Sequence, residues 1–486
     1  MASPSPERRR RLTLAACIIG SSLAFIDVTV VIVALPTIEA DLALGLSGQQ
    51  WVFLSYSLAL AALYLVAGSV GDRYGRRGAF VAGAAGFAAA SLVAGASPNG
   101  EILILARTLQ GIAGAFLTTN SLALIRSVYG DEAGRAIGLW TAFTSIATIL
   151  GPPVGGAIVE LTSWRWIFLL NLPLAVLTVV LAEAGRCEER RAVRVGRLDL
   201  PGAAFAAVGF GSLTYGLVEG ADRGFDELWW AFAVAVAALA GFVVAERRAA
   251  EPMLPFALFR RGNLAAANAE TFLVYGAIYG FFVYVALHLQ ALGFSPFETG
   301  LFLATPSVAL VALATRFGAL ADRHGPRLFL AVGAALIGLA CLLTLGIATR
   351  GDFWLAGSAS FLAFSLGLAM LVAPITAAAL KSAPADVAGI ASGVNATVSR
   401  LGSLTAVAVI GLVVSLVFSA RTSADAEPLT TGLEGDALAA SLAGFRAGML
   451  VAAGLAFAGA LVGALAISNR EALGTTPTPE PAPAGS

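Results

Sequence analysis

Histidine and cysteine are nearly absent from this chain, with two and three copies in 486 residues, and charged residues make up only 12%. His288 and His324 are too little material for a metal site or a histidine-based catalytic triad. Cys17, Cys187 and Cys341 lack metal-ligand spacing and lie in apolar runs or a basic loop, which argues against disulfides. No Gly-x-Ser-x-Gly elbow, phosphate-cradling glycine loop or nucleotide-binding domain is found. These absences argue against hydrolase chemistry and ATP-driven work, and no metal, cofactor or nucleic-acid partner is expected.

Apolar residues fill the space these absences leave. They make up 58% of the chain, while a soluble domain carries roughly a quarter of its residues as charges. A soluble core cannot use that much apolar surface. The long runs lie near 12–35, 50–70, 79–96, 101–126, 136–159, 164–182, 198–217, 228–246, 264–290, 297–321, 328–348, 353–380, 387–418 and 441–467, fourteen in all. Each approaches the ~20 residues that cross a bilayer as a helix. With the N-terminus inside, twenty-two Arg and Lys fall in inside loops or tails, against Arg165, Arg223, Arg350 and Arg421 outside. The positive-inside rule then places both termini in the cytoplasm. Leu12 to Pro36 is too long for a signal-peptide core and lacks a small-residue cleavage site, so it reads as the first span.

Five identities recur at a constant offset of 250 residues, between Gly68-Ser69-Val70-Gly71-Asp72-Arg73-Tyr74-Gly75-Arg76-Arg77 and Gly318-Ala319-Leu320-Ala321-Asp322-Arg323-His324-Gly325-Pro326-Arg327. Both copies are charged turns between long apolar runs, so the pattern predicts two membrane halves built alike. The expected organisation is a basic N-terminus at 1–11, a six-helix half at 12–185, a loop with two inserted helices at 186–250, a second six-helix half at 251–467, and a disordered cytoplasmic tail at 468–486.

The turn from Gly68 to Arg77 resembles the signature loop between the second and third helices of the major facilitator superfamily. That resemblance implies an all-α membrane fold with two halves related by a pseudo-twofold axis. It also implies a gating latch built from Gly68, Asp72, Arg73, Gly75, Arg76, Arg77, Asp322 and Arg323. Gly68 is expected to let two helices approach closely, Asp72 to cap backbone or pair with an arginine, and Gly75 to permit a left-handed turn. An ordinary topology-setting basic loop is the other reading.

Further motifs resemble the fourteen-helix drug:proton antiporter branch. Asp27-Val28-Thr29 and Val33-Ala34-Leu35-Pro36 lie in the first run, with Ile32 where that branch carries asparagine. Asp27 lies about 15 residues into the span, roughly 22 Å at 1.5 Å per residue, in the outer half where a carboxylate is expensive. It reads either as the proton carrier or as a carboxylate serving packing. Arg107, Gln110, Gly111, Gly114 and Thr118 share one face of the fourth helix. Arg107 resembles the family's membrane arginine, implied to act on the protonation of a nearby acid. Snorkelling to the inner interface is its alternative. Gly151-Pro152-Pro153-Val154-Gly155-Gly156 resembles the antiporter motif, followed by Trp164-Arg165-Trp166 and Asn171-Leu172-Pro173. Adjacent prolines and glycines predict a kinked, closely packed helix.

Gln110, Thr118, Glu270, Tyr275, Tyr279 and Asn395 are the candidates for a substrate cavity, with Tyr284 and His288 further out. Arg316 and Arg400 are buried-charge candidates without assigned partners. The aromatics suit amphiphilic or cationic compounds, or serve packing and anchoring. The resemblance implies a monomeric plasma-membrane exporter that exchanges small amphiphilic compounds for protons by alternating access. A dedicated exporter of one metabolite or self-made antibiotic is the runner-up. A non-transporting sensor or membrane enzyme is the reading from another class.

Overall fold

A computed structural model describes residues 5–186, 200–249, 262–381, 388–422 and 426–469. Of the basic loop expected from Arg186 to Arg197, residues 187–197 lie outside the described residues, as does the tail from 470 onward. The first helix, α1 (Pro6–Leu42), starts six residues before the expected span. Ser5 caps it, Pro6 occupies its first turn, and Arg8 to Arg11 extend it as exposed turns. Its 37 residues are about 55 Å long, well beyond the ~30 Å hydrocarbon layer, so both ends protrude.

The first half continues with α2 (Gly45–Tyr74), α3 (Arg76–Gly95), α4 (Gly100–Tyr129) and α5 (Ala133–Leu161). Its sixth span is broken at Leu170 into α6 (Arg165–Leu169) and α7 (Asn171–Ala184). The inserted pair is α8 (Leu200–Arg223) and α9 (Phe225–Arg248), turned tightly at Gly224. The second half holds α10 (Gly262–Ala291), α11 (Pro296–His324), α12 (Arg327–Leu343), α13 (Ala356–Lys381), α14 (Ala388–Ser419) and α15 (Gly435–Ala466). Among the described residues thirteen helices are long and apolar enough to cross a membrane, and α2, which bends within its length, makes fourteen.

The duplication is visible in the backbone. Gly75 and Gly325 both adopt positive φ, at 112° and 88°, and each donates its N–H to the carbonyl four residues back, at 2.9 Å. The two charged turns therefore end α2 and α11 in the same way. Within the first half α1 packs on α4, α5 and α7, while in the second α10 packs on α13, α14 and α15. The halves meet where α5 lies against α11 and α2 against α14, and the inserted α8 touches both α2 and α14. Glu219 of α8 accepts a hydrogen bond from Trp51 Nε1 at 2.8 Å, tying the inserted pair to the first half.

Contacts between the halves gather at the end away from the termini. Gln50 Nε2 donates to Tyr284 Oη at 2.9 Å and to the Val407 carbonyl at 3.0 Å, and Gln290 Nε2 donates to the Val33 carbonyl at 2.9 Å. The Leu46 N–H donates to Glu427 and the Phe297 N–H to Glu160, at 3.2 and 3.3 Å.

Candidate functional site

Asp27 of α1 and Arg107 of α4 form an ion pair in which the arginine is wholly buried and the aspartate is 3% exposed. Such a pair is costly to desolvate unless the remaining polar atoms find partners. Here they do. Asp27 Oδ1 accepts from Asn171 Nδ2 at 3.1 Å and from Gln110 Nε2 at 3.3 Å. Both amides also donate to Ser91 Oγ, at 3.3 and 2.8 Å. Arg107 donates from Nη1 to Gln110 Oε1 at 2.9 Å and from Nε to the Val52 carbonyl at 3.1 Å. Its guanidinium lies 4.5 Å from the centre of the Tyr56 ring and 5.7 Å from that of Phe168, and Nη2 is left without a hydrogen-bond partner. Arg107 ends the second turn of α4, at the end away from the termini, and does not snorkel.

The network draws on five helices beyond α1, and local sequence explains how each reaches it. The break at Leu170 starts α7 at Asn171, which turns that amide toward Asp27. Gly111 brings α4 against α2, because a Cβ there would overlap the Tyr56 carbonyl. On α5, a Cβ at Gly151 would overlap Thr29 Oγ1, and one at Gly155 would lie 2.6 Å from Val30 Cγ1. The glycine–proline motif therefore presses α5 onto α1 two and three residues beyond Asp27. Gly156 instead faces α11: a side chain there would strike the Pro296 carbonyl, and one at Gly300 would strike that of Pro152. Pro152 and Pro153 lie inside α5, as expected. The following Trp164 and Arg165 both donate to Asp41 at the end of α1, at 3.0 and 2.7 Å.

In the first charged turn Asp72 pairs with Arg76 at 2.8 Å, Arg76 reaches the Ala123 carbonyl of α4 at 3.2 Å, and Arg77 lies 3.6 Å from Glu183. Arg73 lies over the ring of Tyr74 at 5.8 Å. The close helix approach expected at Gly68 is not there, since the space beside it is open. It occurs one turn on, at Gly71, where a Cβ would overlap Asn120 Oδ1 of α4. In the second turn, which carries Asp322 and Arg323, Asn469 is the clasp. It donates to the His324 carbonyl at 3.3 Å and accepts from the Arg327 N–H at 3.1 Å. Ser468 and Asn263 exchange two hydrogen bonds, so residues 468 and 469 belong to the packed second half rather than to a disordered tail.

The other candidates separate. Gln110 belongs to the Asp27 network, and Thr118 bonds the Gly114 carbonyl of its own helix at 2.8 Å. Glu270 is fully buried inside the second half, where a Cβ on Gly463 of α15 would lie 2.9 Å from its Oε1, so it does not line the space between halves. Asn395 donates to Thr271 at 2.9 Å and Asn268 at 3.3 Å. Tyr275 and Tyr279 are half-buried, and Tyr279 lies 6.0 Å from Phe53 of the other half. Tyr284 is buried against Gln50, and His288 bonds the Ile347 carbonyl at 2.8 Å and stacks on Phe445 at 3.7 Å. Arg316 is exposed on α11 rather than buried, while Arg400 is half-buried on α14. Sequence reasoning did not place Ser91, Asn171, Tyr56, Gln50 or Gln290 at the site. The two glutamines carried a signal, being amides inside or beside apolar runs.

A family model described as Major Facilitator Superfamily matches residues 17–407. The chain is 35% identical to "Multidrug resistance protein Stp" of Mycobacterium tuberculosis over 426 residues, covering 85% of this chain and 77% of that one. It is 35% identical to the "Probable actinorhodin transporter" of Streptomyces coelicolor over 431 residues, 84% and 73% of the two chains. It is 31% identical to "Multidrug efflux pump LfrA" of Mycolicibacterium smegmatis over 453 residues, 92% and 89%. Among solved structures, a bacterial homologue of the lysosomal transporter Spinster, inward-facing and unoccupied, matches with a TM-score of 0.68 at 17% identity, covering 99% of this chain and 100% of that one. A D-xylose–proton symporter matches with a TM-score of 0.65 at 14% identity, covering 95% and 98%. At such identities these two likenesses show a shared fold alone.

Proposed function

The chain belongs to the Major Facilitator Superfamily, and from that premise we propose that it exports small amphiphilic compounds across the cytoplasmic membrane in exchange for protons. It is a multi-pass membrane transporter and not an enzyme. The relatives named as multidrug or antibiotic exporters support the direction of transport. The observation that carries the coupling is the buried Asp27–Arg107 pair within its shell of amides. In this reading Asp27 is the proton carrier. Paired with Arg107, the carboxylate is charged and locked to α4 and α7, whose amides Ser91 of α3 also holds. Protonated, it releases the guanidinium, and the helices it joins can shift. A carboxylate with two such states gives the proton gradient a handle on the equilibrium between the two openings.

The site sits toward the end where the halves touch, and we place that end outside and both termini in the cytoplasm, as the arginine distribution argues. The described arrangement is then closed to the outside. The turns at Asp72 and Asp322 act as latches on the cytoplasmic side. Export of a single metabolite or self-made antibiotic is the narrower version of the same reading, and the relative named for actinorhodin favours it. Proteoliposomes with an imposed proton gradient test the proposal. Gradient-dependent movement of a dye by the parent is expected, and a protein that moved no compound of a broad panel under any gradient would be a sensor instead.

A further inference from the structure

The charges set within the apolar lengths of the helices bordering the space between the halves are few, and they differ in how they are satisfied. Asp27 and Arg107 neutralise one another, so the pair adds no net charge to that space. Glu270 is sealed among α10, α12 and α15. Arg400 is different. It stands about a third of the way along α14, is only half-buried, and has no ion pair among the described residues.

Its surroundings are aromatic and come from both halves. α14 packs on α2 of the first half and on α10 of its own. Tyr56 and Tyr64 on α2 and Tyr275 on α10 lie on the two helices against which α14 packs, within electrostatic reach of Arg400. Tyr279, one turn on from Tyr275 along α10, lies 6.0 Å from Phe53 of the first half. Tyr56 also carries the Arg107 guanidinium on its face, so this group adjoins the Asp27 network.

A half-buried arginine that pairs with no carboxylate among the described residues is a poor site for a cation and a good one for an anion. Its planar fork matches the oxygen pair of a carboxylate and can also donate to the single oxygen of a phenolate, and it is more weakly hydrated than a lysine ammonium. Tyrosine faces and hydroxyls around it suit a flat ring that carries that anion. We infer that the space between the halves binds aromatic weak acids, planar compounds bearing a carboxylate or ionised phenol, through Arg400, in preference to lipophilic cations. This reverses the sign of the substrate expected from the aromatics alone, and it rests on the export reading above.

Two planar dyes of opposite charge test it: fluorescein as the anion and ethidium as the cation, each titrated by fluorescence anisotropy into the purified full chain in detergent. Fluorescein should bind the parent more tightly than ethidium. Arg400→Gln should weaken fluorescein binding at least tenfold while leaving ethidium no weaker, and Arg400→Lys, which keeps the charge but not the planar fork, should recover part of the loss. Tighter binding of ethidium by the parent, no fluorescein binding, or equal loss of both dyes in Arg400→Gln would overturn the inference. Export is judged separately, by proton-driven dye uptake into inverted vesicles. If neither dye accumulates there, the export reading fails, while the binding comparison still decides the charge preference.

Discussion

Asp27 and Arg107 hold each other in a place where neither is stable alone. Removing one partner of a buried pair leaves an uncompensated charge and costs about 3–5 kcal/mol. Asp27→Asn should therefore lower the thermal stability of the purified protein, and adding Arg107→Gln to the same chain should restore most of it. Proton release on substrate binding, read with a pH indicator in weak buffer, should be lost in both the single and the double variant. That split separates a structural role from a coupling role, since stability returns and release does not. Release at the parent level from Asp27→Asn would move the proton carrier elsewhere.

At the scale of helices, glycines decide which surfaces touch. In the first charged turn, Gly71→Ala should cost about 1–3 kcal/mol by overpacking against Asn120, whose Nδ2 bond to the Ala67 carbonyl at 3.1 Å would be disturbed. Gly68→Ala meets open space and should stay within about 0.5 kcal/mol of the parent. Thermal unfolding of both variants checks the contrast, and equal losses would contradict it. At the crossing of α5 and α11, Gly156 and Gly300 each face the other helix's proline carbonyl. Gly156→Val should hold these helices apart at the end away from the termini. Spin labels at Leu161 and Phe297 should then give a longer distance by pulsed electron resonance, and transport should slow. An unchanged distance would show that this contact does not control the opening.

For the molecule as a whole, the sign of the substrate charge fixes the electrical character of transport. One proton entering for one monoanion leaving carries two positive charges inward, and for a dianion such as fluorescein near neutral pH three, whereas exchange for a monovalent cation carries none. A potential of 100 mV is worth about 2.3 kcal/mol per charge, so the anion exchange gains about 5 kcal/mol from it for a monoanion and about 7 kcal/mol for a dianion. In vesicles clamped with potassium and valinomycin, an interior-negative potential on the side that supplies substrate should accelerate fluorescein export and leave ethidium movement unchanged. Export of fluorescein that ignored the potential would contradict one-for-one exchange of an anion.

The membrane class, the fourteen spans and the duplicated halves are written in the sequence, because a bilayer demands ~20 apolar residues per crossing and the charged turns recur at a fixed offset of 250 residues. The ends of helices are local too: Ser5 and Ser295 cap, and Gly75 and Gly325 turn, through bonds to residues three or four positions away. Asp27 and Arg107 each stand out as a charge in an apolar run, which marks them without saying that they meet. Their pairing joins residues 80 positions apart, and Asn171 reaches Asp27 across 144. The same limit hid the rest. Nothing near Gly68 says that Gly71 faces α4, and nothing near Glu270 says that it turns into its own half while Arg400 stays half-buried without an ion pair among the described residues. Those outcomes depend on how each helix is rotated about its axis. That rotation is set by the small-residue contacts of all its neighbours together, and only the packed bundle decides it.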